Sequence, residues 1–444
     1  MKQPFMVLGL AVLFAASSSW AAPVGPGGRI YYTMLDTSYT HVRLYQLNVD
    51  SNWDAVPGEH WQLVQLNNTC RGSAQRDTTS PEILHPRANA DGTPSGGDGS
   101  VFLAHFDNDP QLYNVDYTKV LPDGVGGATT SSILPYCGST GSTMGTGGYR
   151  GGAALVDVEG RAGGMPCTMM IVCGSDGSRL WHDVNANDDL TDDCDTFYYP
   201  GYGVGGTNYA DAEVGGSPND SSDPDTIWGH YYTGIEWTQY TGNYTDTHTW
   251  AGHQTFYKEN QHSSDGIHWY GNRGGFAVGD TDNDGNMDVY WYCVSGNDIT
   301  SPSIVRMADL NNTGNIDPYG GGVGDIARVI YNSDTLDGTG NDMGSGGGEL
   351  EVVRDPTSGK WTVLVYDRVG SIMAMELADN GDFAGGMDSF KVVASGLEPS
   401  GYDFRQGLEF DADPTGVIPE PGTLLLVGTG LLGVFGVIRR RRIK

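Results

Sequence analysis

The chain has 444 residues, a formal net charge of −31 and 67 glycines. So acidic a surface excludes nucleic acid as a partner, because carboxylate and phosphate repel one another. The 10 Trp, 24 Tyr and 12 Phe supply the apolar area that a disordered polyanion lacks, so the chain is expected to fold.

The N-terminus reads as a targeting segment rather than as part of the body. Lys2 precedes an apolar run from Phe5 to Ala16, and the small residues Ser19 and Ala21 stand where a signal peptidase reads its site. About twelve apolar residues are too few to cross a bilayer as a helix. Residues 1–21 are therefore expected to be a secretory signal peptide, followed by a body over 22–415 and a tail over 416–444.

The body is a repeat. VRLYQLNVDSNWD from Val42, QLYNVDY from Gln111, SRLWHDVNANDDLTD from Ser178, VRMADLNNTGNID from Val305 and IMAMELADNGDFAGGMD from Ile372 each pair a short apolar strand with an Asp/Asn-rich segment. The anchors Leu44, Leu112, Leu180, Met307 and Ile372 are spaced by 68, 68, 127 and 65 residues, and 127 is about twice the others. One degenerate unit is therefore expected near residue 243. A second element lies upstream: RGGAALVD from Arg150, RGGFAVGD from Arg273, RQGLEFD from Arg405, and more weakly RGSAQRD from Arg71. Each unit thus reads as four short strands of about 66 residues, and six such units fill the body. Four-stranded sheets repeated radially leave only short, protected edges. The fold expected is an all-β, six-bladed β-propeller. Its N-terminal GGRIYYTML matches a second strand and its C-terminal RQGLEFD a first strand, so the two ends should close one blade together.

Several candidate sites lie along this frame. Arg150, Arg273 and Arg405 head first strands and suit either an anion site at a channel mouth or ion pairs with carboxylates of the next unit. The region from Tyr202 to Tyr270 is rich in aromatics. Trp228, Tyr232, Trp237, Tyr240 and Trp250 alternate there with polar groups, as sugar-stacking surfaces do, although packing between sheets demands the same residue types. His248, His253, His262 and His268 lack tight ligand spacing for a metal.

The densest chemistry is in DTDNDGNMD. Asp280, Asp282, Asp284 and Asp288 alternate around Gly285 and offer the oxygens that calcium needs. Asp309, Asn311, Thr313 and Asp317 repeat the pattern with Gly314, and Asp183, Asn185 and Asn187 do so without a glycine. The alternative at each is a hydrogen-bonded Asx turn without metal. Trp291 stands where an EF-hand carries its final glutamate, and a strand follows, which excludes that motif. The Asp280 turn resembles the calcium turns of FG-GAP or VCBS-type propeller repeats, and the resemblance implies structural calcium. No general base lies within the motif to support metal catalysis.

Cys70, Cys137, Cys167, Cys173, Cys194 and Cys293 are even in number, as expected of an exported protein, and their pairing stays open. Pro419, Glu420 and Pro421 are followed by an apolar stretch from Thr423 to Ile438 and by Arg439, Arg440, Arg441 and Arg442. This order resembles the PEP-CTERM sorting signal, which implies an inner-membrane helix, recognition and release by an exosortase, and delivery to the cell surface or extracellular matrix. Lys2, the four arginines and Lys444 carry +6 and Glu420 carries −1, so without these ends −31 becomes −36.

No nucleophile elbow, phosphate loop or zinc motif is present. The function expected is a non-catalytic, calcium-stabilised surface protein that binds exopolysaccharide or a surface partner. The alternatives are a calcium-dependent hydrolase or lyase acting in the central channel, and a structural spacer.

Overall fold

A computed structural model describes residues 25–35, 41–67, 79–84, 100–106, 110–116, 130–133, 153–162, 165–174, 177–183, 194–200, 209–222, 226–231, 234–239, 254–258, 269–270, 275–293, 295–296, 303–316, 325–332, 348–367, 370–384, 390–397 and 407–411. Every regular element among them is a strand. The signal segment, the sorting tail, Cys70 and Cys137 lie outside the described residues.

The strands form six four-stranded antiparallel sheets and one two-stranded ribbon. The first sheet joins the two ends of the body: β1 (Gly28–Leu35), β2 (His41–Val49) and β3 (Ala55–Asn67) follow in order, and β26 (Leu408–Asp411) lies on the open side of β1. The second sheet is β4 (Thr79–Leu84), β5 (Ser100–Phe106), β6 (Pro110–Asp116) and β7 (Thr130–Ile133). The third comprises β8 (Ala153–Ala162), β9 (Met165–Gly174), β10 (Gly177–Asp183) and β11 (Cys194–Pro200), and the fourth β12 (Tyr209–Gly215), β13 (Thr226–Tyr231), β14 (Gly234–Gln239) and β15 (Gln254–Lys258). The ribbon pairs β16 (Trp269–Tyr270) with β19 (Ser295–Gly296). The fifth sheet holds β17 (Phe276–Gly279), β18 (Asp288–Cys293), β20 (Ser303–Ala308) and β21 (Ile326–Asn332); the sixth holds β22 (Gly348–Arg354), β23 (Trp361–Asp367), β24 (Ile372–Glu376) and β25 (Phe390–Ala394).

The repeat anchors fall on equivalent strands. Leu44, Leu112, Leu180, Met307 and Ile372 lie on β2, β6, β10, β20 and β24, each third in its sheet when β26 counts as the first strand of the first sheet. The degenerate unit is the fourth sheet, whose third strand, Gly234–Gln239, ends short of residue 243. The expected position, residue 243, falls between its third and fourth strands. The weak match RGSAQRD, at 71–77, lies outside the described residues, and β4 begins at Thr79.

Innermost strands neighbour one another in a cycle: β26 contacts β4, then β4–β8, β8–β12, β12–β17, β17–β22, and β22 returns to β26. Packing follows from that arrangement. A sheet flanked on both faces cannot alternate apolar with polar residues, and β20 (SIVRMA) is buried at every position. Among the described residues, three apolar clusters fill successive interfaces. Trp228, Ile235 and Phe256 of the fourth sheet meet Val289 and Trp291 of the fifth. Tyr290 and Ile304 meet Leu350 and Val363 of the sixth. Leu364 and Ile372 meet Ile30, Leu47 and Phe410 of the first. Tyr32 stacks on Tyr45 at 5.2 Å and meets the Tyr366 ring edge-on at 5.3 Å across that last interface.

β26 pairs antiparallel to β1 from Arg29↔Asp411 to Tyr32↔Leu408, and Gly407 N donates to Thr33 Oγ1 at 2.8 Å. The expected partnership of the two ends is therefore present, with Leu408 and Phe410 buried. Because the strands alternate in direction, the turns after each first and third strand share one edge of their sheet. Contacts between sheets align these edges: Ser221 N donates to Gly285 O at 2.8 Å, Arg354 Nη2 reaches Asn283 Oδ1 at 3.4 Å, and Lys391 Nζ pairs with Asp54 at 2.7 Å. The C-terminal end of β26 lies at this same edge.

Candidate metal centre at the turn edge

β17 ends at Gly279 opposite Asp288, the first residue of β18, so residues 280–287 form the turn. Two residues in it take left-handed backbone, Asn283 at φ 58° and Gly285 at φ 91°. Asparagine tolerates that region and glycine is indifferent to it. This tight course gathers the alternate carboxylates: one oxygen each from Asp280, Asp282 and Asp284 lies within 4.8 Å of the others. Asp280 Oδ2 accepts from Ser221 Oγ at 2.8 Å and from Gly285 N at 3.2 Å, while Asn286 N donates to Asp284 Oδ1 at 2.8 Å.

Asp280 Oδ1 is buried without a hydrogen-bond partner. A buried carboxylate oxygen left bare is costly, and a cation held among three carboxylates relieves both that cost and their mutual repulsion. The three aspartates therefore fit a hard, oxygen-ligated cation such as calcium.

Asp288 has another occupation. It is buried, and it faces Arg306, whose side chain is fully buried. Arg306 Nε and Nη2 donate to Asp288 Oδ1 at 3.1 and 2.8 Å, and Nη2 also reaches Asp282 Oδ2 at 2.7 Å. Arg306 Nη1 donates to the Asn380 carbonyl, and Thr281 N donates to Asp288 Oδ2 at 3.2 Å. The Thr281 hydroxyl lies 2.6 Å from that of Tyr290, which donates to the Gly381 carbonyl at 2.7 Å. Burial pushes the Asp288 carboxyl up to about 6 against the opposing pull of Arg306. Burial, with the Asp288 charge, holds the Tyr290 phenol well above its ordinary range. The structure thus divides the four aspartates read together in the sequence: Asp280, Asp282 and Asp284 face one another in the turn, Asp288 anchors Arg306 from the strand, and Asp282 touches both groups. Arg306 then ties the fifth sheet to the sixth.

In the second acidic turn the described carboxylates accept hydrogen bonds from the turn's own backbone. Asp309 is buried; its Oδ1 accepts from Thr313 N at 3.3 Å and its Oδ2 from Gly314 N at 2.5 Å. Thr313 N also donates to Asn311 Oδ1 at 3.1 Å, while Asp325 accepts from Leu310 N at 3.0 Å and from Asn311 Nδ2 at 3.1 Å. These bonds are those of an Asx turn. Asp317 lies outside the described residues. In the third sheet Asp183 ends β10 opposite Cys194, and Asn185 and Asn187 lie outside the described residues.

The aromatic candidates need a correction. Trp228 is fully buried between the fourth and fifth sheets, with its Nε1 on the Gly216 carbonyl at 2.9 Å, so it has no ring face to offer a sugar. Trp237 packs partly buried on the same cluster and donates to the Gly314 carbonyl at 3.0 Å. Interface packing claimed these rings because strands flanked on both sides bury their aromatics. Tyr232, Tyr240, Trp250, Arg150, Arg273, Arg405 and the four histidines lie outside the described residues.

Sequence reasoning did not single out Arg306, Asp325 or Asp382, which pairs with Arg328. A signal for the first existed: Arg43, Arg179 and Arg306 each directly precede a repeat anchor.

The comparisons with known proteins add an address. Residues 417–442 match the PEP-CTERM protein-sorting motif. That motif implies export with a transient membrane anchor and sorting by an exosortase. The curated proteins contain no match to the chain. Among solved structures, a periplasmic gluconolactonase of Pseudomonas aeruginosa is similar at 13% identity and TM-score 0.41, over 87% of this chain and 86% of that one. A putative 6-phosphogluconolactonase from Bacteroides uniformis (10%, TM-score 0.36, 87% and 99%) and the fucose-specific lectin from Aleuria aurantia (12%, TM-score 0.37, 86% and 100%) are similar to the same degree. At such values these similarities bear on neither activity nor ligand.

Proposed function

We propose that this chain is an exported, six-bladed β-propeller that works at the cell surface as a non-catalytic binder of exopolysaccharide or of a surface partner, with calcium as a structural ion. The observation that carries the reading is the closing of the sheet cycle by β26, immediately ahead of a PEP-CTERM tail. A ring closed at its ends is a rigid scaffold, and the tail supplies the address at which such a scaffold serves.

Calcium is proposed for Asp280, Asp282 and Asp284, where a buried oxygen lacks a partner. At the second turn Asp309 accepts from the backbone N–H groups of Thr313 and Gly314, and no ion is proposed there. Among the described residues the acidic turn is built for holding rather than for proton transfer: Asp288 is committed to Arg306, and Ser221 is spent on Asp280.

Purified, tail-processed protein incubated with the exopolysaccharide of its own host tests the reading. Saturable binding with unchanged polymer length supports it. Release of shortened chains or unsaturated ends would replace it with a hydrolase or lyase.

A further inference from the structure

The direction of β26 fixes which edge of the body the sorting tail leaves from. β26 runs antiparallel to β1 and ends at Asp411, opposite Arg29 near the start of β1. The turn from Asp50 to Asp54, which follows β2, lies at that edge, and Lys391 on Asp54 joins it to the corresponding edge of the sixth sheet. The turns at Asp284 and Asp379 lie on the same side, and Asp54, Asp284 and Asp379 are all exposed. The opposite edge carries the ends of the second and fourth strands, among them exposed Ser395 just after β25.

The tether is short. From Asp411 to Thr423, where the apolar stretch begins, the chain advances twelve residues. A flexible segment of that length spans about 20 Å on average, and a proline-stiffened one less than about 40 Å. The eight residues of β1 rise about 26 Å between the two edges.

We infer that, while the tail is embedded, the acidic turn edge faces the bilayer and the opposite edge points away from it. This rests on the reading of the tail as a membrane anchor before processing. The occupant of the acidic edge is then the lipid headgroup surface, and a polysaccharide or partner meets the other edge. A body tethered from the opposite edge would present these faces the other way round, so the assignment follows from strand direction and not from charge.

The test uses the full, tail-bearing chain in vesicles of phosphatidylethanolamine and phosphatidylglycerol that carry an energy acceptor on the lipid headgroup. A fluorescent amino acid replaces Ser51 at the turn edge in one variant and Ser395 at the far edge in another; both positions are exposed. Energy transfer from position 51 should exceed that from position 395 several-fold, and a long Gly/Ser insertion after Asp413 should bring the two towards equality. Equal transfer without the insertion, or stronger transfer from position 395, would overturn the orientation while leaving the anchor intact. Failure of the chain to float with the vesicles would overturn the anchor reading and the orientation together.

Discussion

Arg306 shows how much depends on a residue that the repeat hides. Its guanidinium is enclosed by Asp288, Asp282 and the Asn380 carbonyl, and the backbone of Gly381 comes so close that an added Cβ would lie 2.4 Å from Cζ. Removing one partner of a buried ion pair leaves the other charge uncompensated, which costs roughly 3–5 kcal/mol. Arg306→Met should therefore lower stability by about that amount in urea unfolding, and adding Asp288→Asn should recover part of the loss. An additive double mutant would show that the two side chains do not act as a pair. Glu236 provides a pH signature. It is buried, its Oε2 lacks a hydrogen-bond partner, and burial pushes its carboxyl up to about 7 against the pull of Lys258. The folded state thus favours the protonated form, so this group's contribution is full below the unfolded value of 4.5 and is lost as pH rises through about 7. The melting temperature of the parent minus that of Glu236→Gln should fall between pH 4.5 and pH 7.5. A constant difference would show that Glu236 does not titrate in that range.

At the scale of strands and sheets, the anchors Leu44, Leu112, Leu180, Met307 and Ile372 were legible because each repeats an apolar strand before polar residues, and all five lie on third strands. The fourth sheet was less legible, its connections differing in length and its strands carrying Trp and Tyr in place of the repeated pattern. Spacing of the aspartates revealed where the turn lies but not where each carboxylate goes: Asp280, Asp282 and Asp284 follow the turn, while Asp288 already belongs to a strand and faces Arg306, distant in sequence. Likewise, the composition around Trp228 suits stacking on sugar and packing between sheets equally, and only the flanking fifth sheet decides between them. The closing strand gives the element-scale prediction. Deleting Leu408–Asp411 removes Leu408 and Phe410 from the interface with the sixth sheet and bares the edge of β1. The truncated body should lose its single cooperative melting transition, and a transition like that of the parent would show that closure contributes little.

For the molecule as a whole, the acidic balance sets the problem that the turn edge has to solve. A formal charge of −31 over 444 residues opposes compaction, and Asp280, Asp282 and Asp284 concentrate that repulsion within a few ångströms. A cation that binds only the folded state stabilises it by RT ln(1 + [L]/Kd), about 2.7 kcal/mol when its concentration stands a hundredfold above Kd. Its role is then in folding, and any ligand contact is made elsewhere on the scaffold. The most direct measurement is calorimetric melting of the tail-processed protein in calcium and in chelator, for the parent and for Asp282→Ala, with polymer binding and polymer length followed on the same samples at moderate temperature. The account predicts that chelation lowers the parent's melting temperature by a few degrees, that Asp282→Ala removes most of that response, and that the variant still binds polymer without shortening it. A melting curve indifferent to both chelator and substitution, or polymer cleavage by the parent that Asp282→Ala abolishes with the fold unchanged, would contradict it.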